Sequence, residues 1–181
     1  MKKILIIVGG VLIVIVLIWL LVPKLTNDQN LQQADIIAAQ PIKFNKAPDF
    51  NLQNYQGKTV SLADFKGKPL VINSWAIWCP FCLRELEDFA RLQQELGDQI
   101  IFIAINRAES LSRSKKYTDE LGVTDTLVFL MDPQDSFYRS IGGFSMPETI
   151  FVDSTGNTVL HKRGPMNFDE IKQKVNELFT L

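Results

Sequence analysis

The chain has 181 residues, and 19 Lys and Arg against 20 Asp and Glu leave a formal charge of −1. No basic run stands out, so nucleic acid is not an expected partner. Two cysteines and a single histidine bound the thiol and metal chemistry open to it.

Residues 1–23 read as a transmembrane anchor. Ile4 to Val22 is a run of 19 residues without a charge, and at about 1.5 Å per residue it nearly spans a bilayer core of about 30 Å. A cleaved signal peptide has a shorter apolar region that ends in small residues, whereas this run closes on Trp19, Pro23 and Lys24. Lys2 and Lys3 before the run, against Lys24 after it, favour a cytoplasmic N-terminus and an extracytoplasmic remainder. Residues 24–43, rich in Asn, Gln and Asp, read as a polar linker in which 31–39 can form a turn or two of helix. Residues 44–181, roughly 140 in number, are a common size for one domain and leave no room for a second.

Within that domain, residues 51–62 alternate loosely around Tyr55-Gln56-Gly57-Lys58, which predicts a hairpin. Asp64 to Pro69 reads as a turn, and residues 70–75 form an apolar run suited to a buried strand. From Cys79 to about Leu96 the positions Leu83, Leu86, Phe89, Ala90 and Leu96 recur at helical spacing, with Gly97 as a stop. The β-branched run 100–105 predicts a strand covered on both faces, followed by a polar helix over 110–121. Residues 127–131 repeat the buried-strand pattern, and Asp132-Pro133 predicts a helix start that runs to Gly142-Gly143. Strands over 149–152 and 158–162 flank the turn residues Asp153 to Asn157, and Asn167 with Glu170 predicts the start of a last helix. Alternating strands and helices that end in a hairpin predict an α/β fold with a central mixed sheet flanked by helices.

Trp78-Cys79-Pro80-Phe81-Cys82 holds both cysteines at a strand-to-helix junction. A sulfur at a helix start sits among unpaired backbone N–H groups and at the positive end of the dipole, which favours the attacking thiolate. A spacing of three returns the second sulfur to the same turn, within reach to resolve a mixed disulfide. Structural zinc needs four ligands, and beyond the two thiols the chain offers only His161. A static bridge this short closes almost no loop and removes little unfolded-state entropy. Redox cycling is the reading that remains.

Three ordered segments resemble the membrane-anchored, thioredoxin-fold proteins of the TlpA/ResA type. They are Ala47-Pro48-Asp49-Phe50 with Asp64-Phe65-Lys66-Gly67-Lys68, then Val71 through Cys82, and Met146-Pro147-Glu148-Thr149 before Ile150-Phe151-Val152-Asp153. The resemblance implies a thioredoxin-like domain preceded by one N-terminal transmembrane helix, with Cys79 as nucleophile, Cys82 as resolving thiol and Pro147 as a cis-proline. It implies that Trp78, Pro80, Phe81, Met146 and Pro147 meet substrate, and that Glu85 assists proton transfer at Cys82; a solvated helix residue beside Arg84, Glu87 and Asp88 is the alternative for Glu85. Asn73 takes the place of the buried aspartate of cytosolic thioredoxins, and an amide cannot accept that proton. Phe81 replaces the histidine of strongly oxidising relatives, which argues against a potential near −120 mV and for a reductant.

The implied partners are a disulfide-containing exported protein and, with no third cysteine, an electron-supplying membrane thiol-transfer protein; cytochrome c maturation is the implied setting. No metal and no cofactor is called for. A thiol peroxidase is the rival enzyme, although Ala76 stands where peroxidases carry Thr or Ser, and a Cu(I)-binding chaperone is the non-enzymatic rival. The region 142–146 and the region 108–121 are expected to set specificity. His161, alone and far from the motif, is expected at the surface.

Overall fold

The computed structural model describes Lys46 to Phe179, which fall within one unit, Ile42–Leu181. The expected anchor and linker lie outside the described residues, and among the described residues no helix is long and apolar enough to cross a membrane.

In chain order the elements are β1 (Asn51–Asn54), β2 (Thr59–Ser61), β3 (Leu70–Trp75), α1 (Pro80–Leu96), β4 (Ile101–Arg107), α2 (Leu111–Glu120), β5 (Val128–Asp132), α3 (Ser136–Ser140), β6 (Glu148–Val152), β7 (Thr158–Arg163) and α4 (Phe168–Phe179). The strands form one sheet in the order β2-β1-β5-β4-β3-β6-β7. Strands β3, β4 and β5 are parallel, while β6 runs antiparallel to β3 with Ser74 opposite Glu148. This is a thioredoxin-like α/β fold with a central mixed sheet.

Every residue of β3 and β6 is buried, so these strands read as unbroken runs with both faces covered. On one face Val71, Trp75, Phe102, Phe129 and Phe151 meet Leu86, Phe89 and Leu92 of α1 and Ile171 and Val175 of α4. On the other, Leu70, Ile72, Ile103, Ile105 and Ile150 meet Phe137 and Tyr138 of α3 and Ile141 beyond it. Each large apolar side chain removed from water this way contributes roughly 1.5–3 kcal/mol before the entropy of ordering is subtracted.

Helix α1 starts on Cys79 as N-cap with Pro80 in its first turn, and it stops at Gly97, whose φ of 55° favours glycine. The side-chain amide of Gln93 donates to the carbonyls of Gly97 and Ile100, and its oxygen accepts from the Phe102 amide at 2.9 Å. That one side chain locks the end of α1 to the start of β4.

The start of α3 differs from the sequence expectation. Asp132 does cap it, its carboxylate accepting from the Ser136 hydroxyl and the Phe137 amide at 2.8 Å each. Pro133, however, lies in a turn closed by Asp135 N–H on the Asp132 carbonyl, so the helix begins three residues later than Pro133. The aspartate side chain reaches over the turn, which is why a cap residue directly before proline misplaces the first helical turn.

Candidate active site

Because β3 and β4 are parallel and β6 opposes them, the C-terminal ends of β3 and β4 and the N-terminal end of β6 share one end of the sheet. From β3 the chain passes through a turn in which the Cys79 amide donates to the Ala76 carbonyl at 3.1 Å. Cys79 and Cys82 are joined in a disulfide. Cys79 keeps 3% of its surface exposed and Cys82 none, so the first sulfur is the reachable one. The Cys79 sulfur accepts from the Cys82 amide at 3.2 Å, so it occupies the helix-start position that stabilises negative charge. The Met146–Pro147 peptide is cis, and Met146 packs against both faces of the core.

Glu85 follows Cys82 by three residues on α1, and it is buried. One carboxylate oxygen accepts from the Asn73 side-chain amide at 2.9 Å and the other from the Met166 backbone amide at 3.1 Å. Burial pushes its carboxyl up to about 8, against the pull of those two hydrogen bonds. Asn73 also donates to the Thr149 hydroxyl at 2.9 Å, across the register of β3 and β6. The Asn73 Oδ1 is buried with no hydrogen-bond partner among the described residues. Glu85 is thus a carboxyl that burial favours in its protonated form at neutral pH, one helical step from the Cys82 sulfur.

A second buried carboxylate, which sequence reasoning had seen only as part of a motif, lies on the opposite face of the sheet. Glu148 accepts from the Phe144 and Ser145 backbone amides at 2.5 and 2.7 Å, and its other oxygen lies 2.6 Å from Nε2 of His161. Burial raises its carboxyl, but the bonds from His161, Ser145 and Phe144 outweigh it and hold the group below its ordinary value. His161 is therefore not a surface residue as expected: β7 pairs with β6, the register puts it opposite Ile150, and it is buried. The signal missed was a charged residue opening a strand whose every other position is apolar or buried.

Glu148 ties the 144–145 backbone down beside the cis-proline. From the other side Tyr138 donates to the Ser145 carbonyl at 2.8 Å, and a Cβ on Gly143 would overlap the Tyr138 ring. Glu148→Gln is expected to cost about 2–4 kcal/mol, because it replaces charge-assisted acceptance from two amides and leaves His161 facing an amide. Urea unfolding at pH 7 measures this. The loss should shrink as pH falls through the depressed Glu148 value, since the folded carboxylate contributes its stability only while ionised.

Among the described residues the exposed large apolar side chains are Trp78, Phe81, Leu111, Phe144 and Val159. The first four follow β3, follow β4 or precede β6 at the end of the sheet that carries the disulfide, and Val159 alone lies toward the other end. Guanidinium groups cover two of them: Arg84 stands 5.1 Å from the Phe81 ring and Arg163 5.7 Å from Phe144. A concave pocket of about 300 Å³ between residues 46–49, 62–70 and 152–156 opens at the opposite end, away from the sulfurs.

The redoxin family profile matches residues 43–177. The thiol-disulfide oxidoreductase ResA of Geobacillus thermodenitrificans is 30% identical over 135 residues, covering 73% of this chain and 75% of that one. The thioredoxin-like protein YneN of Bacillus subtilis is 31% identical, covering 72% and 77%, and the thiol:disulfide interchange protein DsbE of Haemophilus influenzae is 33% identical, covering 75% and 73%. Among solved structures, the pneumococcal exposed lipoprotein thioredoxin of Streptococcus pneumoniae superposes with a TM-score of 0.65 at 32% identity, over 72% of this chain and 100% of that one. With a redox-active Cys-x-x-C disulfide at the start of a helix in a thioredoxin fold, the chain belongs to the redoxin family, among the thiol:disulfide oxidoreductases of the ResA/DsbE/TlpA type.

Proposed function

We propose that this oxidoreductase is anchored by residues 1–23, carries its domain (residues 44–181) on the extracytoplasmic side beyond a linker of residues 24–43, and reduces disulfides in exported proteins. The observation that carries the chemistry is the Cys79–Cys82 disulfide with the first sulfur at the helix start and a protonated, buried Glu85 behind the second. The anchor rests on the 19-residue uncharged run from Ile4 to Val22.

In this reading the Cys79 thiolate attacks a substrate disulfide, forming a mixed disulfide and releasing one substrate thiolate, which takes a proton from solvent. In the mixed disulfide Glu85 acts from its ionised form: it takes the Cys82 proton as Cys82 attacks the Cys79 sulfur, and so ends protonated beside the bridge, the state its burial favours. The second substrate sulfur leaves as a thiolate and takes a proton from solvent, and the enzyme is left with the bridge it has in this structure. Two electrons have moved to the substrate, and a membrane thiol-transfer protein returns them. The four exposed apolar groups at the disulfide's end of the sheet, Trp78, Phe81, Leu111 and Phe144, suit an extended segment with apolar residues beside its cysteine, laid against Pro80, Met146 and Pro147. In the setting that the family resemblance implies, cytochrome c maturation, the substrate would be an apocytochrome c with its paired cysteines.

The direction of electron flow is tested by equilibrating the full-length protein, in detergent, against glutathione and dithiothreitol buffers, with Cys79→Ser as control. A potential near −250 mV or lower, as expected, supports a reductant, and one above about −180 mV makes the protein an oxidant or isomerase instead.

A further inference from the structure

We propose that Glu109 is a positioning residue that fixes the turn presenting Cys79, a role it performs from a different strand. It lies just past β4, after Ala108, one of only two non-glycine residues with positive φ among the described residues, at 49°. Left-handed backbone at a residue with a Cβ is unfavourable and persists where surrounding contacts demand it. Here the Ala108 amide donates to the Asp132 carbonyl at 3.0 Å, and the reversal points the next side chain back toward the β3–α1 turn.

One oxygen of Glu109 accepts two hydrogen bonds, from the Ile77 backbone amide at 3.0 Å and from the Asn106 side-chain amide at 2.8 Å. Asn106 is itself buried and stands opposite Trp75 in the β3–β4 register. The carboxylate therefore bridges the ends of the two strands. Ile77 is the second residue of the turn that the Cys79 amide closes on Ala76, so its N–H points out of that turn and needs an outside acceptor. Without one, that amide would be left unpaired beside a turn closed by the Cys79–Ala76 hydrogen bond, with Trp78, 64% exposed, adding little packing to hold it.

The catalytic steps above use Glu85, and Glu148 holds the loop before the cis-proline; Glu109 is a further carboxylate at this end, and both its hydrogen-bond contacts are donors it orients. A shift of the turn by a fraction of its hydrogen-bond length moves Cys79 out of line with the disulfide it attacks, and in-line geometry of that kind is worth orders of magnitude in rate.

The inference rests on Cys79 being the attacking sulfur, so the test is built on full-length protein in detergent carrying Cys82→Ser, in which only the first attack occurs. The reduced protein is mixed with 5,5′-dithiobis(2-nitrobenzoic acid) at pH 7, and the released thiolate gives the second-order rate. Glu109→Ala is expected to lower that rate about tenfold. Glu109→Asp keeps the charge but is a methylene too short to reach both donors, and should be as slow. Glu109→Gln keeps an acceptor oxygen at the same reach without the charge, and should stay within about threefold of the parent. Should the alanine variant fail to fold, the comparison of Gln with Asp, each checked by its urea midpoint, decides alone. A fast Asp with a slow Gln would assign the effect to charge and overturn the proposal, as would all three variants within threefold of the parent. A parent that does not react at all removes the assignment of Cys79 as nucleophile, whereas an active parent with the order reversed removes the role of Glu109 alone.

Discussion

Cys82→Ser is expected to convert the protein into a trap: it attacks, forms the mixed disulfide with a substrate protein through Cys79, and stops. Cys79→Ser should form no such adduct and lose activity by at least about 10³-fold, since the remaining sulfur has no exposed surface from which to attack. The asymmetry follows from the helix start. Cys79 is the N-cap, outside the first turn, and its sulfur receives the Cys82 amide at 3.2 Å. Cys82 sits inside the helix, fully buried in the cluster that also holds Trp75 and Leu86. A non-reducing gel of the full-length variants, incubated with an oxidised apolar-flanked Cys-x-x-Cys peptide fused to a carrier, reads the result directly. An adduct with Cys79→Ser and none with Cys82→Ser would exchange the two roles and undo the site as drawn here.

Much of this arrangement was legible in the sequence because local rules and tertiary context agree there. Residues 70–75 are covered on both faces, so their apolar run announces a buried strand, residues 149–152 were legible as one arm of a hairpin, and Cys79-Pro80 is a helix start in both chemistry and backbone. The cis peptide before Pro147 came from resemblance alone, since no local rule distinguishes it from a strand-edge proline. What stayed hidden depends on register and on long-range pairing. The bond between His161 and Glu148 spans 13 residues and requires β6 and β7 to pair with Ile150 opposite His161. The bond from Ile77 to Glu109 spans 32 residues and depends on a left-handed alanine that no propensity would place there. The start of α3 was misplaced for a milder version of the same reason: a side chain caps a helix from beyond the turn that precedes it.

Glu85→Gln should make the protein slower and, in alkaline solution, more stable. The ordinary glutamate value is 4.5, and burial pushes Glu85 to about 8 in the folded disulfide form. Between those values the folded state holds a proton that the unfolded chain has lost. Stability is therefore greatest below about pH 4.5, declines as pH rises toward 8, and levels off above it, the loss being on the order of a few kcal/mol. Glutamine cannot ionise, so the variant escapes that loss: urea midpoints of the two proteins should be similar near pH 4 and diverge in favour of the variant above pH 8. The site can hold the amide, because a half-turn of the Asn73 side chain brings its unpartnered Oδ1 to face residue 85 and the Thr149 hydroxyl. The same half-turn lets Asn73 serve carboxylate and carboxylic acid in turn, which is what a proton carrier between two redox states requires. Resolution by Cys82 then loses its base and should slow by on the order of 10²-fold, measured as the decay of a preformed mixed disulfide at pH 7. A variant that resolves at the wild-type rate would reduce Glu85 to a packing residue whose burial costs stability without return. One that is destabilised equally at every pH would show that the raised carboxyl is not the origin of the pH dependence.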